Sequence, residues 1–208
     1  MVSAIFSRLL VGYVLKMKSN KNGMCYAVRR SLFKSQVITS EVRALWELRG
    51  HPNFVYLHNY FFSRDLRGWL IENLVMDCYQ YNLRDYMRFI TRDHYSIPIF
   101  ILKDLVYNVL TGLKALHEKH WVHRELNPHH ILYDVRGYVA ITGLKRAKKA
   151  RLADDESRFT SEFRFLRKDI DLNGYKMGAY KAPELICGCR YYDYSVDMWC
   201  KYYLLNPL

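Results

Sequence analysis

The ten residues from His123 to Leu132 constrain this chain more than any other stretch. They read His-Arg-Glu-Leu-Asn-Pro-His-His-Ile-Leu, so three histidines, an arginine and a carboxylate fall in one short segment. The segment follows a run in which apolar residues recur at helical steps, and it leads into two short apolar runs. Three histidines could suggest a metal cluster, but their spacing is poor for one. The pattern instead indicates a polar loop between a long helix and a pair of short strands.

Other motifs stand on both sides of this segment. Upstream are Tyr26-Ala27-Val28-Arg29, a run from Glu41 that ends in His-Pro-Asn at 51–53, and the runs 74–79 and 82–87. Downstream are Ala-Ile-Thr-Gly-Leu-Lys at 140–145, Tyr-Lys-Ala-Pro-Glu at 180–184 and Val-Asp-Met-Trp at 196–199. Each motif alone is weak. Their fixed order over about residues 12–200 is hard to produce by chance.

Together these motifs resemble those of the protein kinase family. The segment 123–132 is similar to the catalytic loop H-R-D-L-x-x-x-N, and 26–29 is similar to the strand motif V-A-I-K. The run 140–145 stands where a kinase has K-I-T-D-F-G, and 180–184 resembles Y-R-A-P-E. The sequence around Ala-Pro-Glu is similar to the corresponding sequence in the CMGC group of cyclin-dependent and MAP kinases. The resemblance implies an α+β, bilobal fold with a β-rich N-lobe and a helical C-lobe.

The resemblance also implies that several reacting groups are replaced. Glu125 stands at the position of the catalytic aspartate, and Arg29 stands at that of the strand-three lysine, with Glu41 as its partner on the C-helix. His130 and Gly143 stand at the two positions that bind Mg²⁺ in the family. Magnesium prefers oxygen ligands in octahedral geometry, whereas glycine has no side-chain oxygen and imidazole suits zinc or copper better. The loss of both ligands predicts a pseudokinase with no metal site.

Two further substitutions keep the charge of the family residue and are weaker evidence for lost activity. The guanidinium of Arg29 keeps a positive charge, but its fork does not replace a compact ammonium. Glu125 keeps a carboxylate that is one methylene longer, and a shift of about 1 Å can cost on the order of 100-fold in rate. Only the end of the family's Gly-rich loop has a counterpart in this chain, in Gly12-Tyr13-Val14. These changes together leave no complete reaction centre.

The remaining family positions imply binding or structural roles. Residues at the hinge could accept an adenine through their backbone, with Met76 as gatekeeper followed by Asp77, Cys78 and Tyr79. Regulatory or structural roles are expected for His123, Arg124, Ala182, Pro183, Glu184 and Asp197. Asp197 should bond the backbone of the catalytic loop. We expect no resident cofactor and no Mg²⁺, while weak, metal-free ATP binding at the hinge stays open.

In the kinase family that this chain resembles, the activation loop carries regulatory phosphates. Arg124 stands where the family grips such a phosphate. Ser157, Thr160 and Ser161 lie in the corresponding loop and could be phosphorylated, or they could be ordinary polar loop residues.

Composition narrows the class of protein. Half of the 208 residues are apolar and 25% are charged, which excludes a disordered chain. The net charge of +12 could mark a nucleic-acid or acidic-membrane surface, but no nucleic-acid motif appears, so a basic kinase-like surface is preferred. Five cysteines with no C-x-x-C pair indicate reduced thiols, hence an intracellular protein in cytoplasm or nucleus. The apolar stretch 2–15 is interrupted by Arg8 and predicts a strand, with no membrane anchor.

Periodicity predicts the order of elements. Strands are expected at 9–18, 24–32, 54–61, 69–76, 130–134 and 138–142, and helices at 36–49, 82–92 and 97–120. We expect one partial kinase-like domain over 1–208, with an N-lobe at about 1–77 and a C-lobe at 78–208 that stops near the start of the F-helix. The apolar stripe of the helix at 97–120 normally packs on that helix. We therefore expect the stripe to face water or a partner.

Four functions are compatible with these patterns. The leading hypothesis is a non-catalytic interaction or regulatory module that binds another protein. The alternatives are a divergent Ser/Thr kinase that uses Glu125, a basic surface that binds polyanions, and a non-functional gene fragment. Metal-dependent nucleotide binding would separate the first two, and a steep salt dependence would identify the third. The sequence does not indicate an oligomeric state.

Overall fold

A computed structural model describes residues 2–9, 12–33, 38–92, 97–134, 136–150, 180–187 and 193–199. Ser157, Thr160 and Ser161, which could be phosphorylated or be ordinary polar loop residues, lie outside these residues, as does the run 188–192 that follows the Ala-Pro-Glu motif.

The first part of the chain forms an antiparallel sheet with one helix. Its elements are β1 (Val2–Leu9), β2 (Gly12–Lys18), β3 (Cys25–Leu32), α1 (Ser40–Glu47), β4 (Leu57–Arg64) and β5 (Leu70–Asp77). The strands pair in the order β1-β2-β3-β5-β4. Central strand β3 places Arg29 opposite Leu74 of β5 and Ser31 opposite Glu72. This register determines which side chains meet on the face of the sheet toward α1.

The second part is mainly helical. Its elements are β6 (Tyr81–Asn82), α2 (Leu83–Arg92), α3 (Ile99–Glu118), β7 (Trp121–Val122), β8 (Ile131–Tyr133), β9 (Val139–Ile141), β10 (Lys148–Lys149) and α4 (Pro183–Ile186), followed by a helical turn at 195–199. Two small sheets, β6-β8-β9 and β7-β10, frame the segment 123–130. The chain therefore has the bilobal, kinase-like α+β fold that the sequence predicts.

Two predicted boundaries are wrong. The strand expected at 9–18 begins at Gly12, and a further strand, β1, precedes it and pairs with it from Val2 to Leu9. Gly12 permits a close approach of β2 to β3, since its φ is +142° and a Cβ there would overlap the carbonyl oxygen of Arg30. The helix expected from 36 begins at Ser40, because Thr39 is extended and acts as the N-cap residue.

The apolar stripe of α3 is buried, so the expectation that it faces water or a partner is wrong. Leu105, Val109, Leu113 and Leu116 are all at most 6% exposed and belong to the main core. The reason is that α3 packs closely on β9. Gly112 makes this approach possible, because a Cβ there would lie 2.8 Å from the Cδ1 atom of Ile141.

The His-Pro-Asn turn connects the two parts of the chain. The backbone of Asn53 accepts a bond from the Ile141 amide at 2.8 Å, and its side chain donates to Asn108 of α3 at 2.8 Å. The core is continuous across this junction, since Leu45 of α1 and Leu116 of α3 belong to one buried cluster. Among the described helices, none is both long enough and apolar enough to cross a bilayer.

Candidate active site

Arg29 is held in a buried ion cluster between the sheet and α1. Its Nη2 atom lies 2.8 Å from Oε2 of Glu41 and 3.2 Å from Oε2 of Glu72. The Arg29 side chain is 7% exposed and each carboxylate is 3% exposed. The sequence paired Arg29 with Glu41, and the structure brings these two side chains together. Such an arrangement fixes α1 relative to β3.

Glu72 is the member of this cluster that motif reasoning missed. It lies in β5, opposite Ser31, and accepts a bond from the Thr39 hydroxyl at 2.9 Å. No motif of the resemblance covers this position. The available signal was a lone carboxylate in the otherwise largely apolar run Leu-Ile-Glu-Asn-Leu-Val-Met at 70–76, in a strand with neighbours on both sides.

Burial sets the protonation of the Glu41 carboxyl. Desolvation raises its pKa above the ordinary value, against the opposing effect of the Arg29 guanidinium, and the nearby Glu72 raises it further. Desolvation and Arg29 together lower the pKa of Lys145, whose ammonium is also within electrostatic range of Glu41 and Glu72. Two acidic groups, Glu41 and Glu72, and two basic groups, Arg29 and Lys145, therefore lie close together beside α1.

Asp197 organises the start of the segment 123–130. It is fully buried and accepts bonds from the backbone N–H groups of His123 and Arg124, both at 2.8 Å. Its Oδ2 atom also lies 2.9 Å from Nε2 of His117. These bonds hold Arg124 at a φ of 67°, a left-handed conformation that is costly for arginine and needs such support. Asp197 thus has the geometry expected of a residue that orders the catalytic-loop backbone.

His123 is a buried structural residue. Its Nε2–H donates to the Thr142 carbonyl at 2.9 Å, and its Nδ1 accepts from the Glu125 amide at 3.3 Å. Burial lowers its pKa, although the Asp197 carboxylate opposes this effect. The ring is therefore a neutral imidazole that joins the loop to the residue before Gly143.

Glu125, at the position of the base, is paired with a cation. Its Oε1 lies 3.2 Å from Nε of Arg146, and the two side chains are 22% and 40% exposed. Arg124 reaches the same short segment, because its Nη1 donates to the Arg146 carbonyl at 3.3 Å.

His130 and Gly143, at the two metal positions, are in contact. Gly143 has a φ of +80°, and a Cβ on it would lie 2.5 Å from Cγ and Cδ2 of the His130 ring. The ring is held in place from the other side, since its Nδ1 lies 2.8 Å from the Glu125 carbonyl. The imidazole of His130 thus occupies the space that a side chain at position 143 would need.

His129 points away from this pair. Its Nε2 contacts the guanidinium of Arg84 in α2, and burial together with that cation lowers its pKa to about 4. Within the described ranges, no group of three or more His, Cys, Asp or Glu side chains is arranged to hold a metal ion.

The hinge residues connect β5 to β6. Met76 is buried in the core, while Asp77, Cys78 and Tyr79 are partly exposed. The Asp77 carboxylate accepts a bond from His58 at 2.6 Å, and its backbone amide donates to Tyr56. Burial and the nearby Asp77 charge raise the pKa of Tyr79 to about 12, so its hydroxyl stays neutral.

The Ala-Pro-Glu motif starts α4. Ala182 is buried as the N-cap residue and Pro183 takes the first helical position, which suits its fixed φ. Glu184 follows in the first turn and is half-buried. Val122 of β7 packs with Ala182 and Val196, so this motif is joined to the helical turn that carries Asp197.

Comparison with known proteins identifies the family. The protein kinase domain family matches residues 10–201, which is most of the chain. This chain belongs to the protein kinase family. Two curated kinases illustrate the similarity. One is a probable serine/threonine-protein kinase MRK1 homolog of Encephalitozoon cuniculi, 26% identical over 90% of this chain and 52% of the relative. The other is a probable serine/threonine-protein kinase of Dictyostelium discoideum, 26% identical over 95% of this chain and 36% of the relative. The chain thus spans about half or less of the length of these kinases.

The kinase metal site does not fit the residues present. In this family Mg²⁺ bridges nucleotide phosphates to an aspartate and an asparagine, which supply oxygen ligands. Here Gly143 supplies no side chain, and the His130 ring fills the adjacent space with Nδ1 turned toward a carbonyl. A hard cation that prefers oxygen gains no side-chain ligand from either residue.

Proposed function

We propose that this chain is a pseudokinase: a CMGC-like kinase domain that does not transfer phosphate and acts as an interaction or regulatory module. The observation that carries the proposal is the contact between His130 and Gly143. Neither residue has a side-chain oxygen for Mg²⁺, and the ring fills the space that an aspartate at position 143 would need. Phosphoryl transfer in this family depends almost entirely on positioning and charge neutralisation by those metal ions.

The hydrogen bonds and ion pair that order the segment 123–130 and α1 support the proposal of a module with a defined structure. Asp197 bonds the backbone of His123 and Arg124, and Arg29 is paired with Glu41. Neither arrangement needs a nucleotide or a metal. A domain of this kind can present a fixed surface to another protein, and we propose a protein as its partner.

A phosphotransfer assay tests the proposal. The purified chain, incubated with Mg²⁺, labelled ATP and a mixture of basic and proline-directed peptides, should give no more product than Glu125→Ala. The matched comparison is the double variant His130→Asn/Gly143→Asp, which introduces an oxygen ligand at each of the two positions. Product from the wild type above the Glu125→Ala level would overturn the proposal.

Nucleotide binding is a separate test. We expect no Mg²⁺-dependent stabilisation by ATP, because the ligands are absent and Arg29 is engaged by two carboxylates. A thermal shift with ATP, measured with EDTA and with Mg²⁺, should give the same small change in both. A saturating ligand at about 100 times its Kd would add about 2.7 kcal/mol. A gain of that size that requires Mg²⁺ would contradict the proposal.

A divergent Ser/Thr kinase is the second candidate, favoured by two observations. The paired Arg29 and Glu41 lie at 2.8 Å, and Glu125 retains a carboxylate in the catalytic loop. The phosphotransfer assay decides between the two candidates, because only this one predicts product that Glu125→Ala abolishes.

A further inference from the structure

Glu72 is a charged residue in an interior strand, where an apolar residue is the usual choice. β5 lies between β3 and β4, and Glu72 is 3% exposed in its whole residue. Taking a carboxylate out of water costs several kcal/mol unless hydrogen bonds and an opposite charge compensate. The contacts of Glu72 therefore indicate what its burial achieves.

Three elements meet at the Glu72 carboxylate. Its Oε2 lies 3.2 Å from Nη2 of Arg29 and 3.4 Å from the Ser31 hydroxyl, both in β3. Its Oε1 accepts a bond from the Thr39 hydroxyl at 2.9 Å. Thr39 is the N-cap residue of α1, yet its side chain makes no capping bond to the helix. The Thr39 hydroxyl is thus used to tie the start of α1 to the sheet.

The first turn of α1 is attached through the same cation. Glu41 lies 2.8 Å from Nη2 of Arg29, the nitrogen that also contacts Glu72. Arg29 directs its other terminal nitrogen to Ser31 at 3.2 Å. Two adjacent points of the helix, Thr39 and Glu41, are therefore linked to one buried group in β5, one directly and one through Arg29.

We propose that Glu72 is a positioning residue that locks α1 onto the sheet in its paired orientation without any bound nucleotide. In this arrangement one guanidinium faces two carboxylates, so Arg29 holds the helix to the sheet. The inference concerns the position of α1, so it stands or falls independently of whether the domain transfers phosphate.

Hydrogen exchange of the intact chain tests this inference with Glu72→Leu. Removal of one partner of a buried ion pair is destabilising when the other charge is left alone, but Arg29 keeps Glu41 as its counter-charge in this variant. Glu41 still pairs with Arg29, but Thr39 loses its acceptor. We expect exchange at the amides of 43–48 to rise about tenfold, which corresponds to about 1.4 kcal/mol, with protection in α3 changed by less than about threefold. Glu118→Leu, an exposed glutamate of α3, is the matched control and should leave α1 unchanged.

A second variant keeps the test informative if Glu72→Leu does not fold. Thr39→Val removes only the hydroxyl that reaches Glu72, and we expect faster exchange limited to α1. Its control is Thr111→Val, which removes a hydroxyl bonded within α3 to the Tyr107 carbonyl. Equal acceleration in α1 and α3, or unchanged α1 exchange in both variants, would overturn the inference, because Glu72 would then contribute only general stability or nothing.

Discussion

The two ends of the segment 123–130 differ in the contacts that their residues make. At one end, His123 and Arg124 give their backbone N–H groups to Asp197, as a loop with a fixed conformation requires. At the other end, His130 and Gly143 pack against one another and offer no side-chain oxygen. The first set of bonds satisfies buried donors and is needed for folding, whereas the metal ligands serve only the reaction. The bonds that order the segment are thus made independently of the two positions that would hold a metal.

Removal of the buried carboxylate at the first end should have the largest effect. Asp197→Asn places an amide NH2 among N–H donors, so at least one buried group loses its acceptor, and we expect a loss of about 2–3 kcal/mol in the free energy of unfolding. Urea denaturation measures it. The control is Asp193→Asn, whose side chain accepts from the Ser195 amide at 2.8 Å, because asparagine caps a helix as well as aspartate does. Equal losses in the two variants would contradict the prediction.

A side chain at position 143 should have the next largest effect. Gly143→Ala combines a positive φ with overlap on the His130 ring, and we expect a loss of about 2 kcal/mol. Removal of the ring in His130→Ala/Gly143→Ala should relieve the overlap, so the double variant should be about 1 kcal/mol more stable than the sum of the single losses. A double-mutant cycle by urea denaturation measures this coupling. Strict additivity would show that the two residues do not exclude one another.

The histidine beside His130 should give the chain a pH dependence. The pKa of His129 is lowered to about 4 from an ordinary 6.5, so between these values the unfolded chain binds a proton that the folded chain does not. Stability should therefore fall as the pH is lowered through this range. Buried His123 has a lowered pKa and acts in the same direction. In His129→Gln the slope of stability against pH should decrease by up to one proton, as seen in denaturation at several pH values. An unchanged slope would show that His129 titrates normally.

The pair between Glu125 and Arg146 should have the smallest effect. Both side chains are partly exposed, and such pairs contribute about 0–1 kcal/mol. We expect Arg146→Ala to lower stability by less than about 1 kcal/mol and to leave phosphotransfer absent, because freeing Glu125 does not supply metal ligands. Lys114→Ala, which breaks the exposed pair with Glu118, is the matched control. Product formed by Arg146→Ala would show that this contact, and not the metal positions, silences the loop.

The sequence was sufficient for the fold and for the order of the site residues. Motif spacing predicts Glu41 against Arg29 and Asp197 against the backbone of 123–124, since the architecture of the family fixes these positions. Helix and strand positions were predicted to within a few residues where periodicity was strong. The main error concerned α3, whose stripe is buried because Gly112 lets the helix approach Ile141. A hydrophobic pattern does not specify which element covers it.

The parts that the sequence did not reveal depend on side-chain geometry across strands. Glu72 meets Arg29 only because β3 and β5 pair in one register, which places Ser31 opposite Glu72. The contact of Gly143 with His130 likewise depends on a positive φ and on the direction of the ring. Residues that act through register and backbone conformation carry no motif of their own, so they become visible only in the folded chain.

The contact of His130 with Gly143 also has a consequence for descent. An ancestor with aspartate at position 143 could not have acquired this histidine orientation while the aspartate remained, and a descendant with the histidine cannot regain the aspartate without first losing the ring. Gly143→Asp alone should be unfavourable for as long as the His130 ring keeps this position. The order of substitutions along a lineage would then matter, because position 130 has to change before position 143 can carry a side chain without overlap.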